Sequence, residues 1–134
     1  AVAVLLVVDA VGEPAFRFRG YPVEAVDWLE NRGFLASDDR QLLAPDFVGN
    51  YLELRYRGDV ATFIDDRYDM FPPEVVDDYL TAATGSAGWS SVLDRWDVGT
   101  VLWQAALPLA QLLATSEGWR VAYDEGDWLV AVRR

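Results

Sequence analysis

Asp65, Asp66, Arg67 and Asp69 fall within five residues, directly after the apolar run Val60 to Ile64. Carboxylates at 65 and 69 can accept bonds from sugar hydroxyls or hold a hard cation such as Ca²⁺ through oxygen, and Arg67 can clamp a phosphate with two parallel N–H bonds. The cluster has a plainer use, in which Arg67 pairs with a neighbouring carboxylate and fixes a turn. Its spacing is not that of an EF-hand loop. Read as a parallel strand, 60–64 delivers the cluster to a carboxyl-terminal strand end, where open α/β sheets bind ligands. Asn50 and Tyr51 join the cluster if the short helix that carries them packs against that strand end. The alternative for Tyr51 is a core residue with its hydroxyl at the rim.

Other chemistry is poorly supplied. The chain has no His and no Cys, which removes the commonest general base, the commonest metal ligands and any thiolate or disulfide. A small hydrolase built on Asp65 or Asp69 would lack a recognisable nucleophile motif. Adjacent acids such as Asp77-Asp78 and Asp38-Asp39 point different ways on a helix and read as solvated charge. Val7-Val8-Asp9-Ala10-Val11-Gly12 carries one glycine where a dinucleotide loop carries a series. Trp89, Trp96, Trp103, Trp119 and Trp128 invite sugar stacking, but their places in apolar stripes make most of them core. No catalytic residue, cofactor or metal is expected.

The positioning elements follow from periodicity. Pro22, the stripe Val23, Val26 and Leu29, and the stop at Gly33 predict a helix over 22–32. Arg40 to Ala44 reads as a buried strand, Asp46 to Tyr56 as a helix capped by Asp46, and Val60 to Ile64 as a second strand. Pro72-Pro73 opens a helix with Val75, Val76, Tyr79, Leu80 and Ala83 inward, closed by Gly85. Ser86 caps the next, whose Trp89, Val92, Leu93 and Trp96 fall on one face. A third strand over 99–103, a helix over 107–116 with Leu109, Leu112 and Leu113 inward, and a hairpin from Trp119 to Val132 complete the series. In the hairpin Trp119, Val121 and Tyr123 alternate with polar neighbours. Alternation of strands and helices predicts an α/β fold: a small, mostly parallel sheet flanked by helices, Rossmann-like and three-layered, ending in an antiparallel edge hairpin.

One domain over 21–134 fits the length, and the apolar lead-in over 1–20 reads either as a strand or as the tail of a membrane span. Eight apolar residues cannot cross a bilayer, which needs about 20. A net charge of −11 argues against nucleic acid and against anionic lipid head groups. All eleven basic residues are Arg, a bias that points to a GC-rich genome.

The ordered series of signals over 21–134 resembles a domain that follows the last membrane span in many actinobacterial proteins of the oligosaccharyltransferase and protein O-mannosyltransferase group. The residues that carry the resemblance are Tyr21-Pro22-Val23, Gly49-Asn50-Tyr51-Leu52 for a Gly-Gly-Tyr-Leu segment, and Phe63-Ile64-Asp65-Asp66-Arg67 for a strand ending in Asp-Gly-Arg. Farther on come Leu93-Asp94-Arg95, Leu107-Pro108-Leu109 and the Trp119-Arg120-Val121-Ala122-Tyr123-Asp124 hairpin. Asn50 and Asp66 stand where glycine is usual, which weakens the case for a ligand against the backbone there. The resemblance implies a non-catalytic, extracytoplasmic domain of a multi-spanning glycosyltransferase that uses polyprenyl-phosphate sugars. That family places its catalytic carboxylates in loops this chain lacks. Its implied partners are the membrane-embedded part of the same polypeptide and a sugar or lipid-linked sugar. The alternative is a free-standing module for a small polar ligand or a protein partner.

Overall fold

A computed structural model describes residues 20–35 and 40–134. The expected lead-in, apart from Gly20, and the Asp38-Asp39 pair lie outside the described residues. In chain order the elements are α1 (Val23–Asn31), β1 (Gln41–Leu43), α2 (Asp46–Tyr56), a 3-10 turn (Tyr68–Met70) and α3 (Pro73–Ala83). They continue with α4 (Trp89–Arg95), β2 (Val98–Gln104), α5 (Pro108–Thr115), β3 (Trp119–Glu125) and β4 (Trp128–Arg133).

The sheet order is β1-β2-β4-β3, with β1 parallel to β2 and both other pairs antiparallel. The fold is α/β as expected, but the sheet is mostly antiparallel and the Rossmann-like arrangement does not form. Two local causes account for this. First, the segment over 60–64 is not a strand. It meets β1 at one point, where Phe63 N–H donates to the Leu42 carbonyl at 3.1 Å. Its backbone then leaves to lie on α2 at Gly49, where an added Cβ would stand 2.3 Å from the Ile64 carbonyl oxygen. Second, the hairpin, which adds at the edge beyond β2 as expected, makes up half of the four strands: β4 pairs antiparallel with β2 and β3 lies outermost. Residues 128–132 are buried on both faces, which suits a central strand, whereas β3 exposes Arg120, Asp124 and Glu125 and suits an edge.

Helices cover both faces. Against α3, α4 and α5 the sheet presents Val98, Val101, Trp103, Leu129 and Ala131, and Leu93, Leu109 and Leu113 fill the layer. Against α1 and α2 it presents Leu42, Leu102, Val130 and Val132, packed on Val26, Leu29 and Leu52. A bulge in β3 between Val121 and Tyr123 breaks the predicted alternation. One extra residue, Ala122, turns Tyr123 to the α1 side while Trp119 stays on the α5 side, and Val121 is left exposed.

Three smaller expectations are corrected. Leu80 is exposed rather than inward, because the buried face of α3 centres on Tyr79 and Ala82. Ser86 does not cap α4: Gly88, at φ 93°, leads into the helix, and the Ser86 hydroxyl lies 2.7 Å from that of Thr84. Asp78 is not solvated charge; its carboxylate accepts from Arg95 at 2.7 Å and from the Trp96 indole at 2.7 Å, joining α3 to α4.

Candidate functional site

The site is assembled where β1 ends. Pro45 directs the chain from β1 into α2, so Asp46 stands at the carboxyl-terminal end of that strand and at the first turn of the helix, where a carboxylate is favoured. Over it passes the loop 65–71, seated by the close contact of Asp65 with Gly49. Only a glycine on that face of α2 permits the approach, since the Cβ of any other residue would collide with backbone.

Asp65 is 7% exposed and is one of two buried polar residues among those described. Its two oxygens are held by Arg67. The backbone N–H and Nε of Arg67 donate to Oδ1 at 3.0 and 3.1 Å, and Nε and Nη2 also reach Oδ2. The side-chain bonds to Arg67 hold the Asp65 carboxyl below the usual carboxylate range, against the opposing effect of burial. Arg67 itself is largely exposed, with Glu53 and Asp66 adding favourable charge nearby. A carboxylate so committed has little capacity left for a sugar hydroxyl or a cation, and a guanidinium surrounded by acids is poorly placed to clamp phosphate.

Beside this clasp lies a second one. The Tyr68 hydroxyl donates to Asp46 Oδ2, and the Asp46 N–H donates to the Tyr79 hydroxyl at 3.0 Å. The two rings lie 6.3 Å apart, and Trp103 stands behind Tyr79 at 6.3 Å. Burial pushes the Tyr79 phenol up to about 12, and burial and the Asp46 carboxylate push that of Tyr68 up as well. Phenols held neutral in this way orient and donate; they are not proton acceptors at neutral pH.

Of the residues singled out in the sequence, the structure brings Asp65, Asp66, Arg67 and Asp69 into one loop, which meets α2 at Gly49; Asn50, the next residue of that helix, is half-buried. Asp66 and Asp69 are exposed. Tyr51 belongs to another group: its ring is buried in the α1-facing core and its hydroxyl accepts from Arg55 at 2.9 Å, in a network with Asp27 and Glu30. Asp46, Tyr68 and Tyr79 are the residues that sequence reasoning missed as a group. Asp46 reads as a cap and Tyr79 as an apolar stripe residue, and nothing in spacing joins positions 33 apart. Among the described residues no three carboxylates converge to hold a metal ion.

The fold has a known counterpart. The chain is similar to the crystal structure of the C-terminal globular domain of an oligosaccharyltransferase from Archaeoglobus fulgidus, with a TM-score of 0.64 over 89% of this chain and the whole of that one. Identity is 12%, so what the two share is the fold. No family model matches the chain, and no curated protein sequence matches it. No helix among the described residues is long and apolar enough to cross a membrane.

Proposed function

We propose that the chain is a non-catalytic extracytoplasmic domain of a multi-spanning membrane protein of glycosyltransferase type, which takes sugar from a polyprenyl-phosphate donor. The observation that supports this reading is the likeness in fold, over 89% of this chain, to the C-terminal globular domain of an oligosaccharyltransferase. The chemistry of the candidate site agrees with it. Asp65 is tied to Arg67, and Tyr68 and Tyr79 are tied to Asp46, so the groups that could act on a substrate instead hold a loop. The role of that loop is to dock on the membrane-embedded part of the same polypeptide or to present a lipid-linked sugar to it. Met70, in the same loop and 72% exposed, supplies an apolar contact for docking.

The test is a transfer assay with a radiolabelled polyprenyl-phosphate sugar. Membranes carrying the full gene product are expected to transfer the sugar, and the 134-residue chain alone to transfer none. Turnover by the isolated chain, or membranes no more active than those lacking the gene, would overturn the reading.

A further inference from the structure

The charge of this protein is strongly negative, yet at the other end of the sheet from Asp65 three arginines meet in one pocket. Its volume is about 250 Å³, and its lining includes Arg40, Arg120 and Arg133 together with Thr100. The sheet builds this directly. Thr100 on β2, Val132 on β4 and Arg120 on β3 are register partners, so they stand in one row on the same face. Arg40 enters from just before β1, and its stem lies across β2 at Gly99, where an added Cβ would stand 2.5 Å from the Arg40 Cδ. The missing side chain at 99 therefore lets Arg40 lie flat against the row.

The three cations differ in what they already hold. Arg133 is spent: it donates to the Val98 carbonyl at 3.1 Å, pairs with Asp94 at 2.8 Å and lies 4.6 Å over the Trp119 ring. Arg40 and Arg120 are exposed and have no hydrogen-bond or carboxylate partner among the described residues. Two planar guanidiniums facing one hollow, beside a threonine hydroxyl, offer paired N–H donors of the kind that match a phosphate group. A second hollow, of about 390 Å³, shares Phe34 and Arg40 with the first and gives room for whatever the phosphate is attached to.

We propose that Arg40 and Arg120, with Thr100, form a binding site for the phosphate group of a phosphoester. The inference does not depend on membrane attachment or on sugar transfer. Asp59 and Asp97 line the second hollow beside Arg40, so the anion is directed to the side of Arg120 and Thr100; acidic groups farther off than about 8 Å are largely screened at physiological salt.

The test follows backbone amide NMR shifts of the 134-residue chain during titration with inorganic phosphate and with glycerol 3-phosphate. Saturable shifts are expected at Thr100, Arg120 and Val132, with a Kd on the order of 1 mM, and Arg40→Gln with Arg120→Gln is expected to weaken binding roughly tenfold or more. Arg57→Gln, a charge removed elsewhere on the surface, should leave the titration unchanged. Sedimentation with phosphatidylglycerol vesicles distinguishes two sources of the phosphate. Binding lost in the double variant assigns it to a lipid head group, and glycerol 3-phosphate binding without vesicle binding assigns it to a soluble ester; either supports the proposal. No saturable shift at this row, or equal weakening by Arg57→Gln, would overturn it.

Discussion

Asp65 is bonded to Arg67 within the loop, and its energetics follow from these surroundings. Replacement by Asn removes a buried carboxylate from the guanidinium that holds it and is expected to cost about 2 kcal/mol of stability in urea unfolding, below the range for fully buried pairs because Arg67 is solvated. The folded carboxyl has a depressed pKa, so the stabilisation is complete above the unfolded value, about 3.9, and is lost as pH falls through the folded one. Acid titration of stability should therefore show a fall confined to pH below about 4 that Asp65→Asn reduces. The phenols behave in the opposite sense. Tyr79 is raised to about 12 and Tyr68 is raised too, so their neutral forms favour the fold fully below the ordinary value near 10 and the benefit fades as pH rises. Absorbance at tyrosinate wavelengths should show these two ionising late, and Asp46→Asn should let Tyr68 ionise earlier.

At the scale of elements, the contact between α2 and the 64–65 segment sets the site. Gly49→Ala places a methyl group against backbone and is expected to cost about 1–3 kcal/mol, read as a lowered melting temperature, with chemical-shift changes centred on 64–67. Deletion of Ala122 removes the bulge and leaves Tyr123 opposite Val130, on the face away from Trp119, in a regular ladder. A cooperative thermal transition is therefore expected to survive the deletion, whereas insertion of a second residue beside Ala122 turns Tyr123 to the wrong face and is expected to abolish it. Helix positions were legible in the sequence because their apolar spacing, prolines and glycines all agree, as for α2 over Asp46–Tyr56 and α5 over Pro108–Thr115. The course of 60–64, expected as a strand, was not, since an apolar run of five residues does not say whether it pairs along its length or at one point. The run from Trp128 to Val132 reads as an alternating hairpin strand, yet all five residues are buried, because β4 lies between β2 and β3 with helices on both faces. The candidate loop was legible as a cluster of charge. Its clasp with Asp46 and Tyr79 was not, because it joins residues distant in sequence, and the Arg40–Arg120 row depends on strand register that no periodicity reveals.

For the whole molecule, two ends of one sheet carry different properties. The end with Asp65 and Met70 is a loop with an exposed apolar tip; the opposite end gathers Arg133 with Arg40 and Arg120, the latter two without a partner among the described residues. On the proposed reading, in which the rest of the polypeptide holds this domain outside a membrane, it should be reached by reagents that do not enter the cell. The chain has no cysteine, so Glu117→Cys places a single thiol in this domain, at an exposed position between α5 and β3. The most direct test treats intact cells that make the full-length protein with a membrane-impermeant maleimide, and locates the label by peptide mapping. Labelling of Cys at 117 before lysis, on a protein that sediments with membranes, is the predicted result. Labelling only after lysis, or recovery of the protein in the soluble fraction, would contradict the account.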